Sequence, residues 1–187
     1  VTRGQGARGY GIEGCSQPTE ILSVHDYPAH YRLWQRDGVT LGVCQARLGA
    51  SSLLAGLKTL NRLEQVLLKA ELEQRGLLEG VTLDESGCVV ECVTANLFWC
   101  RDSVVYTPVL ARSGVAGVMR AWVLSQLGQL GLSCREVSAP LHELLSADAV
   151  FMTNALMEVV PVSGIEDVIY TNHSVARELQ TLFLQAT

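Results

Sequence analysis

The sequence predicts an α+β domain, and its hydrophobic patterning predicts it in two ways. Short β-rich runs recur from Ile21 to Thr153, bounded by Gly, Pro, Asn or Asp. Between and after them lie longer stretches with helical spacing, chiefly 60–76, the residues after Ser113, and 174–185. No internal repeat or low-complexity linker interrupts the chain. Its 187 residues, 48% of them hydrophobic, are enough to bury one sizeable core.

In order, residues 1–18 hold five glycines and three charged residues with no hydrophobic period, which predicts a loop. Its run Arg3-Gly-Gln-Gly-Ala-Arg8-Gly-Tyr10-Gly is backbone able to approach an anion closely, or equally the flexible edge of a domain. The pattern Ile21-Leu22-Ser23-Val24 predicts a strand within 20–27, ended by Pro28. A short irregular or helical stretch, 29–36, leads through Asp37-Gly38 to a strand at 39–45. Residues 48–57 form a loop of small residues that delivers Lys58. The helix 60–76 places Leu60, Leu63, Val66, Leu67 and Ala70 on one apolar face, and Gly76 stops it.

Strands follow at 80–83, 89–93, 97–101 and 104–107, with a hairpin turn at Asp84-Glu85-Ser86-Gly87. The glycine turn Ser113-Gly-Val-Ala-Gly-Val-Met119-Arg120 opens a helix running to Leu130. Free amides at such a start form a phosphate seat, although a bare glycine turn is commonly only a turn. The phosphate-loop lysine pattern is missing, so nucleotide hydrolysis is not indicated. A strand at 133–137, a short helix at 140–146, a buried-looking strand at 149–153 and an amphipathic helix at 174–185 complete the order. Asn154, just past a strand end, is placed either to line a site or to close a turn.

Net charge is −5 and no basic run exists, so nothing in the sequence predicts a nucleic-acid groove. The apolar runs are too short to span a membrane, and no signal peptide opens the chain. Cys15, Cys44, Cys88, Cys92, Cys100 and Cys134 have no metal-ligand spacing. All but Cys15 have apolar neighbours, as expected of reduced, buried thiols in a cytoplasmic protein. The chain begins at Val1 and its first methionine is Met119, so it is expected to be part of a longer translation product.

Lysine is scarce: Lys58 and Lys69 stand against twelve arginines. Lys69 falls among the charges of the 60–76 helix. Lys58 follows the small and apolar run Leu53-Leu-Ala-Gly-Leu57, and an amine in an apolar pocket tends to lose its proton. A neutral amine forms Schiff bases with carbonyls. Taken alone, a lone lysine near a helix start is more often structural than catalytic.

Four ordered motifs give the chain a resemblance. Lys58-Thr-Leu-Asn-Arg-Leu-Glu64, Glu91-Cys-Val-Thr-Ala-Asn-Leu-Phe98, Gly114-Val-Ala-Gly-Val-Met-Arg120 and Asn154-Ala-Leu-Met-Glu-Val-Val-Pro-Val162 occur in the order seen in fold-type IV pyridoxal-phosphate enzymes. That group includes the branched-chain and D-amino-acid aminotransferases. The Arg8-Gly-Tyr10 turn, Tyr27-Pro-Ala-His-Tyr31 and Ala95-Asn-Leu-Phe-Trp99 are most similar to its aminodeoxychorismate lyase branch.

The resemblance implies the large cofactor-binding domain of such an enzyme, a mixed sheet or pseudo-barrel with flanking helices, over 19–187, with 1–18 as an interdomain loop. A smaller N-terminal domain of roughly a hundred residues is expected ahead of Val1 and absent from this chain. The implied cofactor is pyridoxal 5'-phosphate, carried by Lys58 as a Schiff base, with Glu91 facing the pyridine nitrogen. By the same resemblance Val115 lies against the ring, the amides of Val118 and Met119 hold the phosphate, and Asn154 and Ala155 form the second phosphate segment. Arg8, with Tyr10, is expected to hold a substrate carboxylate. The implied reaction converts 4-amino-4-deoxychorismate into 4-aminobenzoate and pyruvate, in a homodimer; the alternatives are a class IV aminotransferase and a non-catalytic interaction module.

Overall fold

The first regular element, α1 (His30–Asp37), closes at Gly38, where φ is +84° and the amide returns to Trp34 O. Residues 1–186 of the computed structural model are described, and Thr187, the last residue of the expected large domain, lies outside the described residues. After α1 come β1 (Val39–Leu48), the loop that carries Lys58, and α2 (Leu63–Gln74). Four strands then follow closely: β2 (Gly80–Asp84), β3 (Val89–Cys92), β4 (Asn96–Arg101) and β5 (Val104–Pro108). The remainder is α3 (Val118–Gln126), β6 (Ser133–Val137), α4 (Leu141–Leu145), β7 (Ala149–Asn154), β8 (Glu158–Ile165), β9 (Val168–Ile169) and α5 (Ser174–Ala186).

The strands form one mixed sheet in the order β3-β2-β1-β8-β7-β4-β5-β6, with β9 beside β8. β1 runs parallel to β2 and β8, and β5 to β6; the other neighbours are antiparallel. β3, at one end of that order, also lies against β4 and β5, so the sheet curls back on itself. The expected mixed pseudo-barrel with flanking helices is therefore present.

Alternation along the central strands sends side chains into two cores. Leu97, Trp99, Met152, Val160 and Ile165 belong to one, Phe98, Phe151, Val123 and Leu179 to the other. Both faces of β4 are thus covered, which is why Leu97-Phe98-Trp99 reads as an unbroken apolar run. Across β4 and β7 the Phe98 and Phe151 rings stack with centroids 4.9 Å apart. The hairpin at 84–87 forms as expected: Asp84 Oδ1 accepts the amides of Ser86 and Cys88, and Gly87 takes φ +79°.

Three expectations are corrected. The strand within 20–27 is absent; the segment is irregular and pairs with no strand of the sheet, with Ile21, Leu22 and Val24 exposed. The helix 60–76 starts later, and the face it buries is Leu68 and Leu72, against Cys44, Leu48 and Val90. Leu60, Leu63, Val66 and Leu67 are all exposed. Periodicity located an apolar stripe on α2, and the stripe that packs is its neighbour. Finally, the helix expected to run to Leu130 ends at Gln126, and β8, which no expected strand covers, is buried at the centre of the sheet.

Candidate functional site

The loop carrying Lys58 is fastened to the glycine turn by backbone pairing. Gly56 N–H donates to Gly114 O at 2.9 Å and Ala116 N–H donates to Gly56 O at 3.0 Å, a single parallel bridge between Gly56 and Val115. Ser51 N–H adds a bond of 2.7 Å to Arg112 O. Gly56 and Gly114 take φ of +81° and +87°, conformations that L side chains rarely adopt. Arg62 then clasps the loop from the other side, donating Nε to Thr59 O at 3.0 Å and Nη2 to Leu57 O at 2.8 Å.

Glu91, on β3, is 5% exposed. Its Oε2 accepts the Val115 amide at 2.9 Å and stands 3.4 Å from Asn96 Nδ2, which itself donates to Val115 O at 2.7 Å. Val115 is therefore held by its amide, its carbonyl and its bridge to Gly56. Burial pushes the Glu91 carboxyl up to about 7, against the Val115 amide, Arg62 and Lys58, which favour the charged form. No side chain of this chain forms an ion pair with it among the described residues.

α3 begins at Gly117, whose extended backbone turns the chain into the helix with no side chain capping the first amides. Those amides have no intrahelical acceptor and sit at the positive end of the helix dipole. A Cβ on Gly117 would lie 2.3 Å from Asn96 Oδ1, so glycine lets the turn approach β4. The Asn154 side chain is committed to its own turn: Oδ1 accepts the amides of Leu156 and Met157 at 2.9 and 2.7 Å, and Nδ2 donates to Thr94 O at 3.0 Å. Next to it on β7, Thr153 is fully buried and its Oγ1 finds no hydrogen-bond partner among the described residues.

These pieces converge on one cavity of about 630 Å³. Lys58, Glu91, Val115, Val118, Asn154 and Ala155 all line it. Met119 does not; its side chain is buried in the core beneath α3, leaving only backbone at the helix start. Arg8 and Tyr10 are exposed in the N-terminal segment and are not brought to the cavity. The apolar enclosure expected around Lys58 is not built by its own loop, since Leu53, Leu54, Leu57 and Lys58 itself are exposed. Arg62 and Asn96 stand inside the quoted motifs and Thr153 ends an expected strand, but the sequence alone assigns none of them a role, because their partners are set by backbone folding.

Fold and cavity together define a class. Residues 1–165 match the model of the amino-transferase class IV family, and the chain belongs to that family. It is 49% identical over 165 residues to the aminodeoxychorismate lyase of Vibrio harveyi, covering 88% of this chain and 61% of that protein. The aminodeoxychorismate lyase of Bacillus subtilis is 28% identical, with 58% of its length covered, so the chain spans about three fifths of these relatives. The crystal structure of 4-amino-4-deoxychorismate lyase from Pseudomonas aeruginosa superposes with a TM-score of 0.91 at 40% identity, over 97% of this chain and 67% of that one. The branched-chain amino acid aminotransferase of Escherichia coli superposes at 0.73 and 26% identity, over 78% of this chain and 51% of that one.

Proposed function

We propose that this chain is the cofactor-bearing part of an aminodeoxychorismate lyase that uses pyridoxal 5'-phosphate to release pyruvate and 4-aminobenzoate from 4-amino-4-deoxychorismate. The observation that carries the reading is the convergence, through Val115, of an amine, a buried carboxylate and an uncapped helix start on one cavity. The donor set fits the cofactor. A carboxylate buried without a cation calls for one, and a pyridinium qualifies. The amides at Val118 and Met119 suit a phosphate.

Bound here, pyridoxal phosphate supplies an aldehyde that captures an amine and a protonated ring that accepts the electron pair left when the neighbouring carbon loses its proton. Of the two amines in the cavity wall, Lys69 Nζ donates to Leu78 O and Lys58 follows the loop bridged to Val115; in the lyase reaction Lys58 Nζ takes the C4 proton of the substrate and then delivers a proton toward the departing enolpyruvyl oxygen. Glu91 holds negative charge opposite the ring nitrogen. A cation there brings its carboxyl down from about 7 and keeps it ionised at neutral pH. Arg62 fixes the backbone on both sides of Lys58 and so limits the positions its amine can reach. Aromatisation of the product ring drives the elimination.

In the same reading, 19–187 is the large domain and 1–18 leads to a smaller domain that precedes it in the full protein. The whole works as a cytoplasmic homodimer. A substrate role for Arg8 and Tyr10 then requires delivery to the cavity by that domain or by a second copy. The exposed leucines of the 53–67 stretch are the surface such neighbours would cover.

The test is Lys58→Ala in the full-length protein. It abolishes both pyruvate release and the near-visible absorbance of the bound cofactor; retention of both overturns the reading. Pyruvate formed without any amino acceptor separates the lyase from an aminotransferase, which would convert 2-oxoglutarate to glutamate. A chain that binds no aldehyde at all is an interaction module instead.

A further inference from the structure

Two residues of the cavity wall carry hydroxyl groups, Thr94 and Thr153. The Thr94 hydroxyl is taken, donating to the buried Glu79 carboxylate. The Thr153 hydroxyl is buried, its residue 0% exposed, and has no acceptor or donor among the described residues. A buried hydroxyl without a partner is disfavoured, and native structures rarely keep one that no ligand or water satisfies.

Its surroundings say what kind of ligand it awaits. Thr153 pairs across the sheet with Asn96 of β4, and Asn96 lies against Gly117, the residue before the uncapped first amides of α3. On the other side, the Asn154 side chain is consumed by its own turn and Ala155 has no polar side chain, so 154–155 offers the cavity only backbone. One O–H donor therefore lies across Asn96 from the N–H donors of a positive helix end, while the Glu91 carboxylate on the far side of Asn96 is engaged by the Val115 amide. That is a seat for an oxyanion with several acceptor oxygens.

We propose that Thr153 is a phosphate-binding residue, its hydroxyl donating to the phosphate of the cofactor alongside the first amides of α3. The proposal rests on the functional reading above. It makes Thr153 the side-chain hydroxyl of a segment whose next two residues supply none.

The test compares pyridoxal phosphate with pyridoxal, which lacks the phosphate, by titrating each into the protein and following tryptophan fluorescence. Thr153→Val removes the hydroxyl at nearly constant shape, and Thr153→Ser keeps it. Thr153→Val weakens pyridoxal phosphate binding by roughly tenfold, the worth of a hydrogen bond to a charged group. It leaves pyridoxal binding unchanged and does not lower the thermal midpoint of the ligand-free protein, because the hydroxyl has no partner there to lose. Thr153→Ser binds both ligands as the parent does. If Thr153→Val keeps the parent's ratio of the two affinities, or if the ligand-free variant is destabilised, the hydroxyl serves the fold and the proposal fails while the functional reading stands. If the parent itself does not distinguish the two ligands, the phosphate seat is absent and both fail.

Discussion

Glu91 Oε2 accepts the backbone amide of Val115 at 2.9 Å, and this bond joins the acidic strand to the glycine turn. Because Val115 is bridged to Gly56, two residues ahead of Lys58, the carboxylate and the amine are positioned by the same short stretch of backbone. Disturbing any part of this junction is expected to alter the whole cavity.

Replacing Glu91 by Gln tests its burial. The folded chain keeps the Glu91 proton up to about pH 7, whereas the unfolded chain releases it near the ordinary 4.5. Between those values the folded state binds more protons, so stability falls as pH rises, by on the order of 3 kcal/mol, and levels off above the folded pKa. Glu79, also raised chiefly by burial, contributes with the same sign. Urea unfolding of the cofactor-free chain at pH 5 and pH 8 is expected to show this loss, and a smaller one in Glu91→Gln, whose remaining slope belongs to Glu79. An unchanged slope in the variant means that Glu91 is already ionised in the folded chain.

Gly117→Ala introduces a methyl group 2.3 Å from Asn96 Oδ1. Asn96 must move, which loosens its bond to Val115 O, and the cost is roughly 1–3 kcal/mol, as for other overpacked sites. Asn96→Ala removes the obstacle. In a double-mutant cycle the pair is therefore expected to be less destabilised than the sum of the single variants. Additive values would place the strain elsewhere.

Arg62→Met keeps much of the aliphatic stem but drops the bonds to Leu57 O and Thr59 O. If Lys58 is the amine that captures the cofactor, as proposed, the expected result is slower borohydride trapping of added pyridoxal phosphate, with little change in the unfolding midpoint. Trapping at the parent rate would make the clasp dispensable.

Asn154→Ala separates a turn residue from a ligand. The lost acceptor strands the amides of Leu156 and Met157, at a cost of about 1–2 kcal/mol in the cofactor-free chain. A residue that only contacted phosphate would leave that stability untouched, and an unaltered denaturation curve would show that the turn does not depend on the Asn154 side chain.

The sequence by itself determined most of the strands, the hairpin at 84–87, the helix after the second glycine turn, and the residues around which the cavity is built. Local rules suffice there: alternation, turn chemistry and ordered motifs are properties of neighbouring residues. Tertiary structure decided which stripe of α2 is buried, because Leu68 and Leu72 meet β1 and β3 while Leu63, Val66 and Leu67 stay mostly exposed. It also left 20–27 unpaired, outside the sheet. Only the folded sheet could set Thr153 beside Asn96, or spend the Asn154 side chain on its own turn, since hydrogen-bond partners far apart in sequence are chosen by the packing of strands and not by composition.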